Sequence, residues 1–421
     1  MELKKIGAIG GAVVLALCWP LAVGQIGQTV IQDGVAHLNN DSVKAEVIEY
    51  NRGYLSSTVK TRYTVTDPVL AEQLAIDGLP TEVVLNSDVS HGLFSLKAES
   101  VIENQPELPL TLNTITQLNG NTDYVVKMDN WNQVSEGPDG AIVSVTASTL
   151  KGHVSVLGDL TYQLDVPSVE VDFNSGEKVL LSGLSGQGEG KQINSFWIGE
   201  QTVKVNDASI LDIDQSPLFS LSNSQYAFSS SFDEVAKTVS SQHVVDLKNL
   251  VTVDGDVDSV SIDLAFGGLD SVAFEHLVNL YQNNPMPTNA DIDAAVPYVE
   301  SLFSKGFYLA MNKMAVKLGE ESEFESNWQI TVPQGTDNVA QNPAMILPAL
   351  TGDLNTFFSN GLVTQYPFIK QGIDEAIVME LIEETDEGYQ IQAQLKEGNL
   401  VFENGQQIPL MALLLPALMQ P

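Results

Sequence analysis

Five histidines, one cysteine and a few glycine-rich turns are where the residue types and spacings of this chain first suggest side-chain chemistry. His37, His91, His153, His243 and His276 lie far apart in sequence, with no His-x-x-x-His or His-Glu pair. A zinc site built on local spacing is therefore excluded. Asp254-Gly255-Asp256-Val257-Asp258 suggests a calcium loop, but that loop needs Gly at position six and Glu at twelve. Ser259 and Ala265 stand there, so a polar hairpin turn is expected. Gly183-Leu184-Ser185-Gly186-Gln187-Gly188-Glu189-Gly190 resembles both a nucleophile elbow and a phosphate loop. The elbow needs Gly where Gln187 stands. The phosphate loop needs a following helix N-terminus, and Gln192–Ile198 has a strand pattern. The run is expected to be a flexible connection between strands.

Two further spots remain as interaction or structural-turn candidates. Arg52-Gly53 places a scarce arginine at a hairpin tip, where it either pairs with a nearby carboxylate or meets a partner or lipid phosphate. His91-Gly92 sits at a second turn, as a functional group or as a turn histidine bonding its own neighbours. No catalytic residue, metal site or cofactor is assigned. The chain is expected not to be an enzyme, although a hydrolase assembled from dispersed Asp, Ser and His stays open, because such groups need only meet in space.

The elements carrying these spots follow from patterning. Val43–Tyr50 and Leu55–Val65 alternate around Asn51-Arg52-Gly53 and predict a hairpin. Asn119-Gly120 turns between Leu110–Gln117 and Asp123–Met128. Short alternating strands continue at regular spacing to about residue 265, the pattern of antiparallel β rather than βαβ. Beyond it, Asp270 caps a helix over Leu269–Tyr281. Thr288–Asp291 forms a capping box, with Pro297 splitting the segment after it into two short helices. Leu347–Ser359 and Gly372–Glu384 read as helices, and Tyr389–Leu395 with Asn399–Glu403 as a last hairpin. The expected fold is mainly β (α+β): a large antiparallel body with a helical insertion in its C-terminal third. Three regions are expected: 1–24, a membrane anchor or signal peptide; 25–265, β-rich; and 266–421, α+β.

Composition narrows the partners. Of the net charge of −35, residues 1–24 contribute +1 through Glu2, Lys4 and Lys5, leaving −36 on the rest. Such a surface repels nucleic acid. The only cysteine, Cys18, lies in an apolar stretch, so no disulfide framework exists. Residues 6–24 hold no charge and are long enough, at roughly 28 Å of helix, to span a bilayer. Lys4 and Lys5 before them favour an N-in anchor with the bulk translocated. Cleavage after Gly24 is the alternative, since Ala22 and Gly24 are small, but the apolar run exceeds a usual signal core. Lipidation at Cys18 fits poorly, with Leu17 before it and Trp19-Pro20-Leu21 after it. Past the anchor, Gln25–Asn40 is expected to form a short amphipathic helix with Ile26, Val30 and Leu38 near one stripe.

Several of these residues, taken in order, carry a resemblance. Tyr50-Asn51-Arg52-Gly53-Tyr54-Leu55-Ser56-Ser57 resembles the aromatic-x-Arg-Gly-aromatic-x-Ser element of the YdgA-like proteins. Val89-Ser90-His91-Gly92 resembles their His-Gly-Pro element, with Leu93 departing from the usual Pro. Phe196-Trp197-Ile198-Gly199 resembles their later Gly-centred strand pair, and Asn399–Pro409 their C-terminal hairpin. The resemblance implies an inner-membrane-anchored periplasmic protein of Gram-negative bacteria, with no catalytic residues to carry over. The function expected is a non-catalytic binding or scaffolding role in the envelope, with the inner membrane as partner through residues 6–24 and a homo-oligomer in view. A carrier of an apolar ligand such as lipid is the main rival.

Overall fold

The computed structural model describes residues 22–412, except 37, 40–41, 77–79, 136, 138–139, 194–195 and 284–287. Residues 6–21 of the expected anchor lie outside them. No helix among the described residues is long and apolar enough to cross a membrane. The chain divides into two compact units, Met1–Ser175 with Gly183–Glu189, and Gly176–Ser182 with Gly190–Pro421.

The described part of unit one opens with helix α1 (residues 22–36), followed by β1 (Val43–Arg52) and β2 (Ser56–Val65). Helix α2 (Pro68–Ile76) leads to β3 (Glu82–His91), β4 (Ser95–Ile102) and β5 (Leu110–Gln117). Then come β6 (Thr122–Met128), β7 (Trp131–Val134), β8 (Ala141–Val145), β9 (Ser148–Val154) and β10 (Asp159–Phe173). Strands β1 to β6 pair in sequence order, all antiparallel. Beyond them β6 and β7 follow one another in one lane. Their partners β9 and β8 share the next lane, and β10 pairs with both. Period-two alternation shows clearly in β2, where Ser57, Val59 and Thr61 are buried. Val23, Val59, Val89 and Leu96 form the core, joined by Ile31, Val47, Tyr50, Ala98 and Leu118.

The face that α1 buries is not the expected stripe. Ile26 and Leu38 are exposed, whereas Val23, Gly24, Gly27 and Val35 face inward with Ile31 half-buried. Hydrophobicity points to the wrong side because two contact positions are glycines. A Cβ on Gly24 would lie 2.5 Å from His91 Cε1, and one on Gly27 would lie 2.4 Å from Leu96 Cδ1. Both positions must stay bare for the helix to lie this close to β3 and β4.

Unit two is a second antiparallel meander. The division between units falls along β11 (Lys178–Ile193), which leads into β12 (Phe196–Leu211), β13 (Pro217–Asp233), β14 (Thr238–Thr252) and β15 (Gly255–Asp270). Helices α3 (Ser271–Asn283) and α4 (Asn289–Lys305) precede β16 (Phe307–Lys317) and β17 (Glu323–Val332). A turn of helix, α5 (Ile346–Ala349), leads to β18 (Thr351–Ser359). After α6 (Asn360–Gln365), α7 (Pro367–Val378) and β19 (Glu383–Glu384), the unit ends with β20 (Gly388–Lys396), β21 (Asn399–Phe402) and β22 (Gln407–Pro409). The ladders run from β12 through β18, then β20 to β22, with β19 also on β20. The mainly-β expectation and the helices of the C-terminal third are present in this form.

Four local expectations change. The glycine run is no flexible connection but the interior of β11: a Cβ on Gly190 would lie 2.8 Å from the Trp197 ring, so the bare backbone leaves room for that indole. Residue 265 lies inside β15, paired to Gln242 on one side and Ala310 on the other. The composition shift there marks where helices enter unit two. Pro297 does not split its helix; α4 runs unbroken for 17 residues. The Thr288–Asp291 capping box and packing on α3 offset the hydrogen bond the proline lacks. Thr351–Ser359, expected as helix, is strand β18. Its apolar spacing mimics a helical face, but ladders to both β17 and β20 decide its backbone.

Asp270 caps α3 as expected, accepting the Ala273 N–H at 2.8 Å. It is 3% exposed and also pairs with Lys305 in the last turn of α4. Leu269, Ala273 and Leu302 form the core beneath, with Phe266, Phe274, Phe303 and Phe307 around them.

Candidate functional site

The first described turn of α1 gathers the two motif turns of unit one. At the β1–β2 tip the Gly53 N–H donates to Ser56 O at 2.7 Å. At the β3–β4 tip the Gly92 N–H donates to Ser95 O at 2.8 Å. The tips are thus the same device, Gly-Tyr-Leu-Ser and Gly-Leu-Phe-Ser, each lifting two apolar side chains. The repeated Gly-x-x-Ser spacing is the sequence signal that unites them. The departure at Leu93 leaves the turn intact.

His91 is 8% exposed and lies under the helix backbone at Gly24. Its Nδ1 faces the Tyr54 carbonyl at 3.3 Å, and its Nε2 lies 2.8 Å from Ser57 Oγ. A carbonyl only accepts, so Nδ1 carries the proton and Nε2 accepts from the Ser57 hydroxyl. This is the hydrogen bond of a serine nucleophile with its base. Its setting is not that of a reacting group. Ser57 is 3% exposed, and the orienting partner is a backbone carbonyl rather than a carboxylate. The pair pins β2 to β3 and forms the floor on which α1 rests. Ser57 closes the Tyr50–Ser57 motif but had no role expected of it; its inward register on β2 was the available signal.

Arg52 does not make the expected ion pair. It donates through Nη1 to Gln25 Oε1 of α1, and among the described residues no carboxylate pairs with it. So Arg52 and His91 do not touch each other; each meets α1 one residue from the other, at Gln25 and Gly24. Gly53 and Gly92 complete the tips beneath them.

The remaining histidines fall elsewhere. His37 lies outside the described residues. His153 Nδ1 is 2.7 Å from Asp123 Oδ1 on an exposed strand pair. His243 stands between Tyr226 Oη at 2.9 Å and Ser241 Oγ at 3.2 Å, stacked on Phe266. His276 stacks on Tyr298 at 4.3 Å between ring centres. Among the described residues no histidine joins both a hydroxyl and a carboxylate. No group of three or more His, Cys, Asp or Glu there could hold a metal.

Unit two has open grooves, among them an apolar one of about 540 Å³ along α7, lined by Pro367, Val378 and Met379, and two of mostly polar lining. One of about 530 Å³ is bordered by Glu200, Ser229, Gln242, Asn312 and Gln329. Its amides are already engaged: Gln242 Nε2 donates to Asp263 at 2.8 Å and Asn312 Nδ2 to the same carboxylate at 3.0 Å. A second, of about 670 Å³, is rimmed by Glu323, Glu325, Asp386 and Glu387.

No curated protein and no solved structure matches the chain. With its two motif turns gathered under α1, the chain belongs to a family described as bacterial protein of unknown function (DUF945), whose model matches residues 3–411.

Proposed function

We propose that the chain is a membrane-anchored envelope protein, held by the apolar residues before α1, whose body lies on the periplasmic side of the inner membrane and acts by binding or scaffolding rather than catalysis. The finer YdgA-like assignment is part of this reading. One observation carries it: Val23 and Gly24, the last residues of the apolar run, are built into the core of unit one. A chain cut after Gly24 would lose Val23, which is 0% exposed, and leave a cavity costing on the order of 1–3 kcal/mol. The apolar run therefore passes into the folded body with no polar linker between them, as suits an anchor that stays attached.

The non-catalytic part is supported by the placement of the candidate groups. Ser57 and His91 are buried beneath α1, and Arg52 is engaged by Gln25.

The test is the full chain expressed in a Gram-negative host. After alkaline carbonate washing it should stay in the membrane pellet, and N-terminal sequencing should read from Met1 or Glu2. Soluble periplasmic protein beginning at Gln25 would refute the anchor. A fluorophosphonate probe should leave the native protein unlabelled; labelling abolished by Ser57→Ala would convert the reading to a hydrolase.

A further inference from the structure

The ends of the unit-one sheet differ in chemistry. Ser56 pairs with Ser90, Ser95 with Gln117, and Thr122 with Val154. The turns 53–55, 92–94, 118–121 and 155–158 therefore all lie at one end. None of these residues is Asp or Glu, in a chain that has 54 of them. Three of the turns raise apolar side chains into solvent: Tyr54 and Leu55 at 43% and 59%, Leu93 and Phe94 at 67% and 68%, Val156 and Leu157 at 59% and 83%. The last two turns brace each other, with the Val156 N–H donating to Asn121 Oδ1 at 3.0 Å. The opposite end carries Asp67, Glu72, Glu103 and Glu107.

The described part of α1 begins at the end that carries the four turns, since Gly24 lies against His91 and Gln25 accepts from Arg52. Residues 6–21, without one charged side chain, precede that start. Apolar and aromatic tips beside the entry of an apolar run are the composition of a membrane interface. The scarcity of carboxylates in these turns matters as much. A body of this charge is repelled by anionic headgroups, and these turns, with Arg52 at their edge and Asp159 set behind them at the start of β10, are repelled less than the opposite end.

We propose that this end of unit one is a membrane-contact surface, its hairpin tips seated in the interfacial layer of the bilayer that takes residues 6–21. The inference rests on the anchor reading and goes beyond it: an anchor needs only a tether, whereas this surface fixes how the sheet stands on the membrane.

The experiment uses the full chain with Cys18→Ala and a single cysteine replacing Leu55, Phe94 or Leu157, with Val69, 75% exposed on α2, as control. Each carries an environment-sensitive dye. The proteins are reconstituted into phosphatidylethanolamine–phosphatidylglycerol vesicles holding a nitroxide-labelled lipid. The three tip positions should shift to the blue and lose fluorescence to the lipid quencher, while position 69 does neither. If the protein floats with the vesicles but the tips are unquenched, the contact surface is refuted and the anchor stands. Failure to float refutes both. Blue-shifted but unquenched tips would mean that protein covers them, residues 6–21 or a second copy, and would also refute it. Equal quenching at position 69 would show unspecific adsorption and would refute the contact surface as well.

Discussion

The two units cover their sheets by different means. Unit two uses helices inserted between strands: α3 and α4 arise between β15 and β16 and bury Leu269, Ala273 and Leu302 beneath aromatic rings. Unit one uses a helix that comes before its first strand and is seated by glycines rather than by bulk. An inserted helix is held at both ends by the sheet it covers. The sheet holds a leading helix only through the chain that follows it and through its seat, which is close-fitting here. Unit one thus concentrates its dependence on a few contacts at the junction with the apolar run.

Filling the seat is the strongest challenge to this contrast. Gly27→Leu should destabilise unit one by about 3 kcal/mol, since the new side chain meets Leu96 with no room to retreat. Urea unfolding in detergent, followed separately through Trp131 and Trp197 in single-tryptophan variants, should show the Trp131 transition moving and the Trp197 transition unchanged. Equal movement of both would remove the distinction. Next in size is the matching lesion in unit two. Asp270→Ala removes a buried helix cap and leaves the Ala273 N–H unsatisfied, for a loss of about 2 kcal/mol read at Trp197. Lys305→Met should cost less, because that side chain is half exposed and keeps its stem packed.

A smaller effect tests whether the Ser57–His91 pair is structural. Ser57→Ala and His91→Ala should each cost about 1 kcal/mol or somewhat more, and the double variant less than their sum. Full additivity would show the two side chains to be uncoupled. The smallest effect is acid-dependent and confined to unit two. The Thr288 hydroxyl and backbone N–H hold the Asp291 carboxyl below its ordinary value of 3.8. A carboxyl lowered in the folded state stabilises above its unfolded value, and that contribution is lost as pH falls through the lower folded one. Fraying of α4, followed by amide NMR, should therefore appear only below about pH 4, and Asp291→Asn should abolish this pH dependence.

Strands were legible wherever period-two alternation met a turn residue. Leu110–Gln117 is found as expected, because Asn119-Gly120 fixes the turn and the ladder follows. Caps were legible too: Asp270 and Thr288 act through their own side chains within three residues, so nothing distant decides them. What was not legible depended on neighbours remote in sequence. β18 is a strand because β17 and β20 flank it. Gly24 and Gly27 are contact residues because His91 and Leu96 lie opposite, and no hydrophobic count detects a glycine packed by its absence of side chain. Arg52 and His91 were visible as unusual residues at turns. Their common attachment to α1 was not, since Gln25 lies 27 positions before Arg52 and gives no local signal.

Helix α1 and the strands that receive it, β1 to β4, all lie before residue 103 of 421. Synthesis runs from the N-terminus, so every group that closes this junction leaves the ribosome while most of the chain is still unmade. Most of the later strands pair with a partner already present, usually the one just before, which keeps contacts local and growth stepwise. The attachment at the N-terminus can thus be completed first and serve as the fixed base from which the rest of the sheet is laid down.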